Sequence, residues 1–407
     1  MNFHKLDNVG TFFASTYFKH NPDVFRFAIT MDELIDEETL QKALIQTKES
    51  FPSFNVSLKM GLFWYYLEEE EEVPNVYEEK YPVCYRIDSY RDEVLYRVSY
   101  YKNRINLEVS HIISDGRGTL EFCTSLIENY VSLKYKVKVP PKFKATVLER
   151  EEDSFEKYYK KCKAPKNKRS NIYNFKGKKI KKHNIRFIEM HMSTKKILSL
   201  SKDKSVSITV YIVSLIIRAI LRTMSYKDTG KHIRIAVPVD LRSFYYSKTT
   251  KNFFGLVYVD YKFNGEVDAL DKIIEVVNEQ VTTALDKETL IKRTNQMYSL
   301  VSNVVIRSIP LIIKNVGLSV IDKFTHRLNT THVSNMGRLE FSKVVEDHVN
   351  SVALMISTED LQFVLSSYKD DFCIVASSRF MRNNVLNYLV EDLSESGIEI
   401  NVVSNGV

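Results

Sequence analysis

Val109-Ser110-His111-Ile112-Ile113-Ser114-Asp115-Gly116 is the stretch on which the reading of this chain turns. The residues leading into it, Ile105 to Ser110 (INLEVS), alternate apolar and polar side chains, the period of a half-buried strand. An equally alternating run, Val94 to Tyr100 (VLYRVSY), lies just upstream across Lys102-Asn103, so the two predict a hairpin. Downstream, Gly116 to Leu133 sets Leu120, Cys123, Leu126, Ile127 and Tyr130 on one helical face. The stretch is therefore a strand, a tight turn and a helix start, with His111 at the end of the strand. A histidine placed there projects from a rigid element, and its unperturbed pKa of about 6.5 suits proton abstraction near neutrality. Asp115, four residues on, orients the ring or braces the turn. Gly116 lets the backbone turn where a side chain would clash. Taken alone, one His and one Asp at this spacing fit a satisfied core histidine equally well.

Working outward, the first part reads as mixed α and β. Val24 to Thr30 is a predicted strand. Asp36-Glu37-Glu38-Thr39 opens a helical stretch carrying Leu40, Ala43, Leu44 and Phe51, its acidic first turn facing the positive end of the helix dipole. Phe54 to Leu58 and Leu62 to Leu67 read as strands. The five glutamates Glu68 to Glu72 read as a solvated loop or exposed edge. Beyond residue 187 a long apolar helix starts at Ser207-Ile208-Thr209, with buried strands at Ile233 to Pro238 and Leu256 to Phe263. Helices follow over 269–286, 287–300 and 302–322. Strands recur near Thr331, Ser351, Gln362 and Phe372, and a helix over 384–394 precedes a last strand, 398–403. Between these halves, Lys157 to Arg186 holds 13 Lys and Arg and no Asp or Glu. It is read as an inter-lobe linker, so the organisation expected is an N-terminal lobe 1–156, a basic linker 157–186 and a C-terminal lobe 187–407. The alternative for the linker is contact with an anionic ligand or a peripheral membrane surface. Nucleic acid is not expected, since no recognised nucleic-acid module surrounds the lysines.

The 407 residues are 44% hydrophobic and 27% charged, with 12 Gly and 9 Pro, which excludes long disorder and collagen-like architecture. The net charge of +7 is modest for this length. Cys84, Cys123, Cys162 and Cys373 are scattered, with no CxxC pair and no Cys/His spacing that would hold zinc, so no metal site is expected and the protein is read as reduced and cytoplasmic. Ser302 to Ile321 is interrupted by Arg307, Pro310 and Lys314 and reads as a buried or amphipathic helix rather than a membrane span.

With two α/β (α+β) halves in view, His111-x-x-x-Asp115-Gly116 (an HxxxDG motif) after an alternating strand resembles the CoA-dependent acyltransferase superfamily. That superfamily includes chloramphenicol acetyltransferase and the condensation domains of peptide synthetases. Further stretches support the resemblance. Ala236-Val237-Pro238-Val239-Asp240-Leu241-Arg242 with Asn252-Phe253-Phe254-Gly255 looks like the second-lobe segment. Thr331-His332-Val333-Ser334-Asn335-Met336-Gly337 resembles a later strand near the active site. Ile35 to Leu44 is similar to the first helix of the fold, and Gly61 to Tyr66 also has a counterpart. The alcohol acetyltransferase-like branch is the most similar, over about residues 10 to 395.

The resemblance implies two chloramphenicol-acetyltransferase-like lobes, each a mixed sheet with covering helices, and an active-site tunnel between them. It implies an O-acyltransferase with acyl-CoA as co-substrate, no bound cofactor, and a small alcohol or amine acceptor. His111 is then the general base, with no acyl-enzyme. Asp115 pairs with Arg242 as a clamp. Ser334 and Asn335 offer donors to the oxyanion or line the tunnel, and Asn252 and Gly255 shape the crossover. The basic linker, or Lys227, Lys231 and Lys248 to Lys251, would hold the CoA phosphates. Two departures matter. Ser110 stands where condensation domains carry a second histidine, which weighs against a carrier-protein-dependent enzyme. The late Asp-Phe-Gly-Trp-Gly element of the plant branch has no match. A carrier-protein partner and an inactive scaffold of the same fold are the alternatives.

Overall fold

The computed structural model describes residues 3–16, 23–87, 93–160, 170–181, 184–302, 308–317 and 326–406. The first lobe is organised around five strands in the order β12-β2-β7-β6-β5. These are β2 (Val24–Met31), β5 (Tyr77–Glu78), β6 (Tyr96–Tyr101), β7 (Arg104–Ser110) and β12 (Val349–Ile356). The hairpin read at Lys102-Asn103 is β6 and β7, paired Tyr101 to Arg104, with Lys102 at φ 52° in the turn. A small sheet, β1 (Phe3–His4), β4 (Tyr65–Glu69) and β3 (Val56–Met60), lies alongside. Helix α1 is Asn8–Thr16, α2 is Glu37–Ser50 and α3 is Gly116–Tyr135. The side chain of Asp36 caps α2 by accepting from the Thr39 N–H at 2.8 Å, so the acidic start serves the helix as its sequence suggests. The apolar face of α3, including Leu120, Leu126, Ile127 and Tyr130, is buried in a core shared with Phe27, Leu107 and Val109.

The second lobe is a seven-stranded mixed sheet in the order β10-β9-β11-β13-β14-β8-β15. Its strands are β8 (Arg186–Ser193), β9 (His232–Asp240), β10 (Phe254–Lys262), β11 (Thr331–Leu339), β13 (Leu361–Tyr368), β14 (Asp371–Ser378) and β15 (Asn401–Ser404). β11 runs parallel to both its neighbours, β9 and β13, while the other pairings are antiparallel. Helix Ile208–Leu221 is apolar on nearly every side because nearly every side is buried. The class is the mixed α/β, two-lobed one the sequence suggests.

Two expectations change. The segment 187–407 is not one lobe, because β12 leaves it and pairs antiparallel with β2, Ala353 opposite Ala28, as the edge strand of the first sheet. Val349, Val352 and Leu354 are buried in the first core. The segment from Ile35 to Leu44 enters the second helix, not the first, because Asn8–Thr16 is itself helical. Of the helix read over 302–322, residues 303–307 and 318–322 lie outside the described residues, and a helix spans 311–317. The basic linker likewise falls partly outside them, at 161–169 and 182–183. Among the described residues no single helix is long and apolar enough to cross a bilayer.

Candidate functional site

His111 sits in the turn between β7 and α3, and its backbone is held on both sides. Its N–H donates to the Asp23 carbonyl at 2.8 Å, and its own carbonyl accepts from Asn252 Nδ2 at 3.0 Å. The turn closes through the Ile113 N–H on the Ser110 carbonyl and the Ile112 N–H on Ser110 Oγ. Three aromatic rings surround the imidazole: Phe13 of α1 stacks at 4.9 Å between centroids, Phe25 of β2 lies at 4.5 Å and Phe254 of β10 at 6.5 Å. Burial among them pushes the His111 pKa down to about 4, against the opposing pull of the Asp115 charge. The ring is therefore neutral at pH 7. Its Nδ1 is buried without a hydrogen-bond partner.

Asp115 is not aimed at the imidazole as a relay partner; its two oxygens are occupied elsewhere. Oδ1 caps α3 by accepting from the Gly118 N–H at 2.8 Å, and Oδ2 accepts from the Phe253 N–H at 2.7 Å. Arg242 adds two parallel bonds, Nη1 to Oδ2 at 2.9 Å and Nη2 to Oδ1 at 3.2 Å. The rest of the guanidinium donates to Asp240 Oδ1 and to the carbonyls of Thr249 and Lys251. Burial opposes the Arg242 cation, but the carboxylates of Asp115 and Asp240 outweigh it and raise its pKa. This clamp joins the start of α3 in the first lobe to the loop between β9 and β10 in the second.

Gly116 opens α3 against Met336: a Cβ there would meet Met336 Sδ at 2.7 Å. Ser334 and Met336 come from β11 and line the same cavity as His111. Asn335 lines the cavity too, its amide engaged by Nδ2 donating to Thr209 Oγ1 at 2.7 Å and Oδ1 accepting from the Gly337 N–H. Gly255 is enclosed by Leu241 and Leu290 under the β9–β10 connection. Asn252 does more than shape a crossover, since it holds the His111 carbonyl. His332 lies on the cavity wall with Nε2 3.4 Å from Asn329 Nδ2. Of the lysines considered for phosphate, Lys231 pairs with Asp228 at 2.7 Å and Lys248 with Glu149 at 2.9 Å.

Two supports of the site escape sequence reasoning. Asp7 is buried beside Asn252. It accepts from the Gly10 N–H at 2.6 Å, from the Asn252 N–H at 3.0 Å and from Asn252 Nδ2 at 3.1 Å. Burial still pushes its pKa up to about 7, despite those donors. Gly118 is the second: a Cβ there would lie 2.0 Å from the Thr250 carbonyl oxygen. The glycine two residues after Gly116 was a visible signal for it, whereas an isolated aspartate in a polar N-terminal stretch carries none.

The cavity that contains His111 has a volume of about 1290 Å³ and runs between the lobes, with Phe25 and His111 on one wall and Ser334 and Phe363 on the other. Its lining is mainly apolar. Among the described residues no cluster of three or more His, Cys, Asp or Glu side chains could hold a metal ion.

Two mixed sheets with such a cavity between them define the coenzyme A-dependent acyltransferase fold, shared with condensation domains. F. graminearum TRI101, solved with coenzyme A and deoxynivalenol, is similar over 98% of this chain and 100% of its own, with a TM-score of 0.67 at 11% identity. A trichothecene 15-O-acetyltransferase from Fusarium sporotrichioides is similar over 97% and 94%, at 0.63 and 12%. The first condensation domain of the calcium-dependent antibiotic synthetase follows, over 97% and 96%, at 0.61 and 12%. No family model and no curated protein matches the sequence. At these identities the likeness is one of fold.

Proposed function

We propose that this protein transfers an acyl group from acyl-CoA to a hydroxyl or amine acceptor, with His111 as general base. The observation that carries the reading is a neutral imidazole on the wall of an apolar inter-lobe cavity, its backbone fixed by Asn252 and its turn by the Asp115–Arg242 clamp. With Nδ1 buried, Nε2 is the nitrogen left for the cavity. It takes the proton of the acceptor O–H as that oxygen bonds to the thioester carbonyl carbon. The tetrahedral oxyanion then collapses, the C–S bond breaks, and the departing thiolate takes the proton back from the imidazolium. An alcohol is a poor nucleophile near neutrality without such a base, and a well-placed base contributes about 10²- to 10⁴-fold. Ser334 is the donor proposed for the oxyanion, a position whose loss costs about 3 kcal/mol of transition-state stabilisation. Asp115 and Arg242 act as positioning residues, which agrees with both carboxylate oxygens being occupied away from the ring.

The test is thiol release from a panel of acyl-CoAs with mixed alcohol and amine acceptors, wild type beside His111→Ala. Release that requires both acceptor and His111, from a variant of unchanged melting temperature, is the expected result. Acceptor-dependent release that survives in His111→Ala would remove the base assignment. Silence across the panel would shift the donor to a carrier-protein thioester or leave an inactive scaffold, which a carrier pull-down would separate.

A further inference from the structure

The hairpin joining β3 to β4 turns at Gly61-Leu62-Phe63-Trp64, closed by the Gly61 N–H on the Trp64 carbonyl at 2.9 Å. Its tip points outward: Leu62 is 70% exposed, Trp64 61% and the neighbouring Met60 54%. The helix at 311–317 lies against it. Leu311 N–H donates to the Leu62 carbonyl at 2.9 Å, Lys314 Nζ to the Phe63 carbonyl at 2.6 Å, and Asn315 Nδ2 to Tyr65 Oη at 2.7 Å. That helix exposes Ile312, Ile313 and Val316, the last two less than one turn apart. Six large apolar side chains are thus exposed on two segments that pack together, more than scattered surface hydrophobes explain.

We propose that this surface docks on a phospholipid bilayer, with Trp64 and Ile313 at the boundary between headgroups and acyl chains. Three features select that occupant. The composition is interfacial: an exposed tryptophan and aliphatic residues, with Lys59 on the same hairpin and Lys314 on the same helix. The charge agrees. Lys59 and Lys5 do face Glu68 and Glu156, but no acidic side chain belongs to the tip or to the helix at 311–317, whose Lys314 suits an anionic leaflet. Above all, the surface is continuous with the cavity. Phe63, Trp64 and Lys314, which belong to the exposed tip and its neighbouring helix, also line the chamber that contains His111, with the buried Leu311 beneath them. A second copy of the chain seated here would cap that end of the chamber. A bilayer leaves it open to molecules already dissolved in lipid, so the substrates that use it are those with a membrane-resident apolar part.

The chain holds a single tryptophan, Trp64, so its fluorescence reports this surface alone. The experiment titrates the full chain with vesicles of phosphatidylcholine and with vesicles of phosphatidylcholine and phosphatidylglycerol. It follows Trp64 emission, quenching by brominated acyl chains, and co-sedimentation. The expected result is a blue shift with quenching, stronger on the anionic vesicles. Ile313→Asp, followed by the same fluorescence, and Leu62→Asp each weaken partitioning at least about tenfold. Both positions are exposed, so an unchanged circular dichroism spectrum accompanies them. Trp64 emission unmoved by either vesicle overturns the proposal. So does emission already blue-shifted without lipid in a chain that sediments as a dimer, since a second copy would then hold the surface. The readout is independent of acyl transfer: a catalytically silent chain that partitions leaves docking intact, and an active chain that ignores vesicles removes docking alone.

Discussion

At the scale of single residues, the site separates the group proposed to react from the groups that hold it. His111 owes its neutral state to the rings of Phe13, Phe25 and Phe254, so its titration belongs to its burial. Its folded pKa, about 4, lies below the ordinary 6.5. The acid limb of kcat/KM, which reports the free enzyme, is therefore expected near pH 4 and not near 6.5, with a plateau through neutrality. A limb centred at 6 to 7 would mean a solvated imidazole. The unfolded ring binds its proton more tightly than the folded one. This residue's contribution to stability is thus full above pH 6.5 and is lost as the pH falls toward 4. Asp115 has the opposite task. Asp115→Ala leaves Arg242 buried without its main counter-ion and is expected to destabilise by about 3–5 kcal/mol, visible as a lowered thermal midpoint as well as lost activity. Normal stability would argue against the clamp. The pair was legible because Asp115 and Arg242 each stand in a recognisable stretch. Asp7 was not, because its burial is created by α1 and the 249–253 loop, which are remote in sequence.

At the scale of elements, the decisive contact is the start of α3 against the loop between β9 and β10. Gly118 allows it, because any side chain would strike the Thr250 backbone, which cannot swing aside. Gly118→Ala is expected to cost on the order of 3 kcal/mol, measured by chemical denaturation. Gly116→Ala should cost much less, since it displaces only the flexible end of Met336. It pushes that thioether toward the cavity, so its effect belongs in KM more than in stability. Equal losses for the two would contradict this geometry. Strands such as β7 and β10 were readable from alternation, and α2 and α3 from their caps and apolar faces. Helix α1 was not: Asn8–Thr16 has neither an acidic first turn nor a basic last one, and it gains its place from Gly10 fitting against the Ile112 carbonyl. The neighbour of β12 was equally hidden, because alternation identifies a strand and says nothing of its partner.

At the scale of the whole molecule, β12 ties the lobes together, since the first sheet is complete only when Val349–Ile356 joins it. One cooperative thermal transition is expected for the full chain. A fragment of residues 1–186 is expected to aggregate or to melt without cooperativity in circular dichroism, having lost an edge strand and part of its core. A soluble fragment with a sharp transition would show that β12 is dispensable. The same crossover has a consequence during synthesis. On the ribosome, β2 and β7 emerge early, but the strand that covers the free edge of β2 is made more than two hundred residues later. At about 5–20 residues per second, that edge waits on the order of tens of seconds in the nascent chain. Its backbone groups and the apolar side chains of Phe25, Phe27 and Ile29 are then available to other strands. The yield of folded protein in a cell should accordingly depend on chaperones that shield the unfinished first half, and on translation speed between β7 and β12.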